Sequence, residues 1–223
     1  QHLLEMNSRD RSLDCGIVIF VTAGSIPMYA GLSHSRSGPT VCVHTFPLPF
    51  TQWISKYRLG ASLVVPSVRQ IPSEILDPSV KYRSRMHWYL ADQEAQRVDP
   101  AAVALLQNAQ GCLTETNSGN FFIVKGGAVL TPCSGDTLPG ISQAYVQELA
   151  NQLTMPYHTA NITLEEALAA DEAFTTSTSY CILPVTRINR QTIGSGSPGP
   201  VTRALLEAWS NAVGVDIATQ GSG

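Results

Sequence analysis

Residues 113–142, LTETNSGNFFIVKGGAVLTPCSGDTLPGIS, narrow the folds open to this 223-residue chain, because three structural signals stand within them in fixed order. A lone acid, Glu115, precedes a small polar loop, and the loop leads into an apolar strand at 121–124. Lys125-Gly126-Gly127 separates that strand from a second at 128–131, and the pair reads as a β-hairpin. Leu138-Pro139-Gly140-Ile141-Ser142 then gives way to a pattern with Tyr145, Leu149 and Leu153 on one helical face, so Pro139 and Gly140 lead the chain into a helix. The first backbone N–H groups of a helix have no partners inside it. Those of Ile141 and Ser142, with the Ser142 hydroxyl, form a natural seat for an anion.

An acid upstream of an anion seat raises the question of what cationic, phosphorylated or reactive group lies between them. The chain has three lysines, Lys56, Lys81 and Lys125, against eleven arginines. Lys125 falls in the hairpin turn, and Lys56 in FTQWISKYR has polar neighbours on most sides. Lys81 follows turn residues and a short apolar step, SEILDPSVK, and opens YRSRMHWYLADQEAQ, which has helical character. A lysine leaving such a segment at the mouth of a pocket can supply an amine for covalent catalysis.

With these parts in place, the sequence resembles the fold-type-IV pyridoxal-phosphate enzymes, the class IV family of branched-chain and D-amino-acid aminotransferases and aminodeoxychorismate lyases. Lys81 precedes Ala91-Asp92-Gln93-Glu94-Ala95 as the family's cofactor lysine precedes its A-x-x-E-A-like stretch. Glu115 with Asn120-Phe121-Phe122 matches the family's glutamate, polar loop and strand. Leu138 to Gln143 matches L-P-G-I-T-R, with Ser142 for Thr and Gln143 for Arg, and 170–178 matches A-D-E-x-F-x-x-x-T. Pro184-Val185 and Gly199-Pro200-Val201-Thr202 follow and complete the family's motifs in order.

The resemblance implies a pyridoxal 5'-phosphate cofactor and assigns its site. Lys81 holds the cofactor covalently and serves as the proton-transferring base, Glu115 keeps the pyridine nitrogen protonated, and Leu138 packs on the ring face. Ile141, Ser142, Ser177 and Thr178 receive the phosphate, and Ser179 and Tyr180 form the substrate wall. It implies an aminotransferase that moves an amino group between a branched-chain-like or D-amino acid and a 2-oxo acid by ping-pong half-reactions. The alternatives are a lyase of the aminodeoxychorismate type and a non-catalytic remnant of the fold. It also implies a homodimer. Three departures bear on substrate: Met86 replaces a tyrosine of the branched-chain enzymes, Arg83 and Arg85 are additions able to reach a carboxylate, a phosphate or solvent, and Tyr180-Cys181 replaces smaller residues.

The expected fold class is α+β, with helices at 82–97, 140–153, 164–170 and 200–212. Strands are expected at 17–22, 40–46, 61–68 and 105–113 besides the hairpin. Thr163 and Glu166 form a capping box for the third helix. The expected division is 1–50 as the C-terminal part of a small N-terminal domain, 51–60 as a linker and 61–223 as the large cofactor-binding domain, with 23–39 a Gly/Ser/Pro-rich loop. The chain opens on Gln1 and runs quickly into a strand, so the small domain's first part is expected to be missing, and with it the family's phosphate-gripping arginine.

A net charge of −3 and scattered basic residues argue against a nucleic-acid or membrane-surface partner. No apolar run approaches the roughly 20 residues of a membrane span, and the start carries no signal-peptide pattern. Five cysteines without C-x-x-C spacing point to reduced thiols in a cytoplasmic protein, and no histidine spacing suggests a metal site. Residues 194–199 satisfy G-x-G-x-x-G, but the segment before them, 186–193, reads as a hairpin with Asn189-Arg190 at its tip, so a dinucleotide site is rejected.

Overall fold

A computed structural model of the chain describes residues 14–24 and 38–220. It falls into two compact units, Gln1–Pro49 and Phe50–Gly223. Within the described part of the first, β1 (Cys15–Val21) pairs antiparallel with β2 (Val41–Pro47) from Cys15↔Pro47 to Val21↔Val41. Both strands fall where the β-branched runs place them. Of the loop expected at 23–39, residues 25–37 lie outside the described residues.

The second unit begins with α1 (Phe50–Leu59). The stretch 51–60, expected as a linker, is therefore helical: Tyr57 is buried in the core and its hydroxyl donates to the Tyr180 carbonyl at 2.8 Å. Gly60, at φ +82°, ends the helix in the left-handed region that suits glycine. The strands are β3 (Ala61–Val64), β4 (Val103–Gln107), β5 (Leu113–Thr116), β6 (Asn120–Lys125), β7 (Ala128–Pro132), β8 (Tyr157–Ala160), β9 (Glu172–Ser177), β10 (Cys181–Ile188) and β11 (Gln191–Thr192). Six of them close on themselves: β3 pairs with β4, β4 with β5, β5 with β6, β6 with β9, β9 with β10, and β10 with β3. Closure leaves these strands few open edges, and β7 and β8 extend the sheet from the far end of β6. The mixture of parallel and antiparallel pairs with separate helices is the expected α+β class.

The core explains why the sequence takes this form. Phe121, Phe122 and Phe174 are fully buried, and the rings of Phe122 and Phe174 stack at 4.6 Å between the paired strands β6 and β9. Two further helices, α3 (Ile141–Gln152) and α5 (Pro200–Val213), meet through Tyr145 edge-on to Trp209 at 4.7 Å. The Ala-Asp-Glu and Gly-Pro-Val-Thr stretches turn out to be one contact. Glu172 at the start of β9 accepts from the Val201 and Thr202 N–H groups at 2.9 and 2.8 Å, capping α5, and a Cβ on Gly199 would lie 2.0 Å from the Glu172 carboxyl carbon. The short helix α4 (Leu164–Leu168) carries the capping box expected from Thr163 and Glu166.

Several expected boundaries shift, and the strand expected at 61–68 already ends at Val64. The strand expected at 105–113 is split, because the Asn108 side-chain oxygen accepts from the N–H groups of Gln110 and Cys112 and folds 108–112 into a turn between β4 and β5. The helix expected from 82 begins as α2 (Met86–Val98), with Arg85 at its N-cap making no side-chain cap; residues 80–85 stay irregular. At the other end, Asn189 and Arg190 both take positive φ in a two-residue turn joining β10 to β11, the hairpin read from the sequence. Residues 194–199 are a loop into α5, with no βαβ unit around them.

Candidate active site

The connection from β3 to its parallel neighbour β4 runs through 65–85 and α2, and leaves β3 at its C-terminal end. Ligand sites in sheets with parallel strands collect outside such ends. A pocket of about 260 Å³ lies here. Its wall includes Lys81, Glu115, Leu138, Ile141, Ser142, Ser177 and Thr178, seven residues singled out from the sequence, drawn from four separate parts of the chain. Lys81 sits in the irregular segment before α2, solvent-exposed at the wall.

Glu115 lies near the end of β5, opposite Asn120. Its carboxylate accepts from the Leu138 N–H at 3.2 Å and from the Gln70 amide at 3.3 Å. Burial pushes its carboxyl up to about 7; the bonds from Leu138 and Gln70, then the charges of Arg85 and Lys81, pull the other way. A glutamate poised there takes or gives a proton near neutrality, and becomes a firm anion once a cationic group is placed against it.

A second part of the wall is built around the start of α3. Asn120 donates to the Leu138 carbonyl at 2.8 Å, and its side-chain oxygen would lie 2.1 Å from a Cβ on Gly140, so the turn into the helix must pass glycine-close to β6. Gly140 caps α3 without a side-chain bond, and Ile141 and Ser142 of the helix's first turn line the pocket. From β9 come Thr176 and Ser177, with Thr178 just beyond. The Thr176 hydroxyl, on a residue only 1% exposed, finds no hydrogen-bond partner among the described residues. An uncapped helix start beside an orphaned buried hydroxyl and two further hydroxyls is a donor set that fits a phosphate or another multivalent anion.

Ser179 and Tyr180, expected as the substrate wall, do not line this pocket. Tyr180 is 8% exposed and turned into the core: its ring meets Trp53 edge-on at 5.8 Å, its hydroxyl bonds Thr175 Oγ1 at 3.4 Å, and burial raises its pKa. The turn at 178–180 is the reason, since it reverses the chain directly into β10 and Cys181 takes φ +57°. The structure adds Gln70, Tyr82, Asn117 and Thr176 to the wall, and places there Arg85, read from the sequence as able to reach a carboxylate, a phosphate or solvent. Thr176 could have been found from the run Thr175 to Ser179, but nothing in the sequence marks Gln70, which reaches Glu115 from a loop 45 positions away.

The family profile described as amino-transferase class IV matches residues 1–188. Among curated relatives, "Branched-chain-amino-acid aminotransferase-like protein 1" of Arabidopsis thaliana is 33% identical over 192 residues, covering 85% of this chain and 32% of its own length. "D-alanine aminotransferase" of Bacillus licheniformis is 30% identical over 218 residues, covering 96% of this chain and 71% of that protein. The chain thus spans about a third of one relative and under three quarters of the other. Among solved structures, a T.th. branched-chain amino acid aminotransferase with pyridoxamine 5'-phosphate superposes with a TM-score of 0.81 over 95% of this chain and 68% of that one at 24% identity, which shows a shared fold. The strand ring, the ordered motifs and these matches place the chain in the class IV aminotransferase family.

Proposed function

We propose that this chain is a pyridoxal 5'-phosphate-dependent aminotransferase that moves an amino group between an amino acid, branched-chain-like or D-configured, and a 2-oxo acid. The observation that carries the reading is the convergence of Lys81, Glu115 and the uncapped start of α3 on one pocket. The donor set fits the cofactor: the N–H groups of Ile141 and Ser142, the Ser142 hydroxyl and the hydroxyls of Thr176, Ser177 and Thr178 suit its phosphate, and Glu115 suits its ring nitrogen. Bound there, the cofactor supplies an electron sink that lets a proton leave the α-carbon of an amino acid. Lys81 would hold the cofactor through its amine, and the same amine would serve as the base for the α-proton of the amino acid. Glu115 gives up its own proton, accepts a hydrogen bond from the protonated ring nitrogen and stabilises that charge. Leu138 packs against the ring and limits water at that face.

In this reading residues 1–50 belong to a small domain and 61–223 form the cofactor-binding domain. A homodimer belongs to the same proposal, supported by family membership and by the exposed apolar side chains of Val80 and Ile141 at the pocket wall. A cytoplasmic setting belongs to the same proposal, supported by an odd number of cysteines without C-x-x-C spacing; no helix among the described residues is long and apolar enough to cross a membrane.

Absorption spectra of the protein with pyridoxal 5'-phosphate test the proposal. The expected result is a visible band absent from Lys81→Ala, replaced by that of pyridoxamine 5'-phosphate when an amino donor is added. Pyruvate release without pyridoxamine 5'-phosphate points to the lyase chemistry instead, and no band at all overturns cofactor binding.

A further inference from the structure

Arg85 lines the same pocket, yet none of the roles above uses it. Its guanidinium donates to the Asn117 carbonyl and lies over the Trp88 ring at 5.6 Å. Trp88 is 4% exposed and packed among Ala91, Ala95 and Leu106, so the platform under the guanidinium is fixed. A long side chain is therefore held at its far end, which removes much of the rotamer freedom that an arginine loses on binding a ligand. An arginine fork has five N–H donors, of which the Asn117 carbonyl takes one, and the rest match the two oxygens of a carboxylate in a paired, charge-assisted contact.

We infer that Arg85 receives the carboxylate of the amino acid and the 2-oxo acid, and so selects carboxylate-bearing substrates over simple amines. The inference rests on the aminotransferase reading above. The cofactor phosphate has its own donors at the start of α3 and the end of β9, on other elements than the 80–85 segment. Arg85 instead shares its field with Glu115, the carboxyl assigned to the ring nitrogen. It does not consume that carboxyl, whose oxygens are held by Leu138 and Gln70. Lys81 is committed to the cofactor, which leaves Arg85 as the pocket's cation for the substrate among the described residues.

The test is calorimetric titration of the cofactor-loaded protein with 4-methylpentanoic acid, which has a carboxylate but no amine to react, and with its uncharged amide. Arg85→Gln weakens the acid by roughly 10- to 100-fold and leaves the amide unchanged, as expected for loss of a charged hydrogen-bonding partner. Arg85→Lys keeps the charge without the fork and recovers part of that loss; it also carries the comparison if Arg85→Gln does not fold. Equal losses for acid and amide, or no loss, overturn the inference. A parallel spectral titration with pyridoxal 5'-phosphate separates the two readings. Weakened cofactor binding in Arg85→Gln with acid binding intact assigns the arginine to the phosphate and overturns the inference. Wild-type protein that takes up no cofactor but still binds the acid through Arg85 refutes the aminotransferase reading alone.

Discussion

The two walls of the pocket are made in different ways. On one side, residues 138–142 and 176–178 are fixed by the sheet: Asn120 holds the Leu138 carbonyl, Glu115 holds its N–H, and the β9 strand that carries the hydroxyls also caps α5 through Glu172. Here much of the binding chemistry is backbone, and side chains serve to place it. On the other side, residues 80–85 belong to no helix or strand, and Lys81 and Arg85 bring their chemistry in side chains that are largely exposed. This contrast decides where substitutions act. On the sheet wall they alter folding, and on the irregular wall they alter reactivity with little cost to the fold.

The sharpest separation is expected at Lys81. Replacement by alanine removes proton transfer, worth about 10² to 10⁴ in rate by itself, while the melting temperature stays within a degree or so because the side chain packs into no core; a large drop in melting temperature breaks the contrast. Glu172→Ala is its converse. Losing two charge-assisted bonds at a buried helix start costs about 3 kcal/mol in denaturant unfolding, with cofactor affinity affected only through β9.

Glu115 belongs to both walls and shows it in pH dependence. Its carboxyl, pushed up to about 7 by burial, binds its proton more tightly folded than unfolded. That stabilisation is complete below the ordinary glutamate range and is lost as pH rises through about 7. In cofactor-free protein, wild type therefore loses roughly 2 kcal/mol relative to Glu115→Gln between about pH 4.5 and 7. Added cofactor, whose ring nitrogen favours the ionised carboxylate, reverses the trend; parallel melting curves across that range sink the assignment. The smallest effect is expected for Ser142→Ala, a few-fold loss of phosphate affinity worth about 1 kcal/mol, because the helix N–H groups remain. A loss as large as that of Lys81→Ala would mean that the sheet wall binds through side chains after all.

What the sequence discloses follows the same division. The hairpin of β6 and β7, the Pro-Gly entry to α3 and the capping box of α4 are local, since turn residues, apolar runs and caps are spelled out within a few positions. Long-range consequences are not. Tyr180 reads as a wall residue until its ring is seen against Trp53 and its hydroxyl beside Gly119, where a Cβ would lie 2.5 Å from it. Gln70 acquires meaning only through Glu115, and α1 looks like a polar linker until Tyr57 is set against β10. The delayed start of α2 is similar: Arg83 to Arg85 has ordinary helical propensity, and the bond from Arg85 to Asn117, 32 positions away, is invisible in the local sequence.

The closed strand circuit also imposes an order in time. β3 is made early, but one of its two partners, β10, arrives roughly 120 residues later, about ten seconds at ribosomal speeds. Until then β3 presents a bare edge, as β6 does until β9 arrives, and before β9 the wall carrying Thr176 to Thr178 does not exist although Lys81 and Glu115 have long been synthesised. The candidate pocket therefore stays incomplete until β9 has been made, long after Lys81 and Glu115.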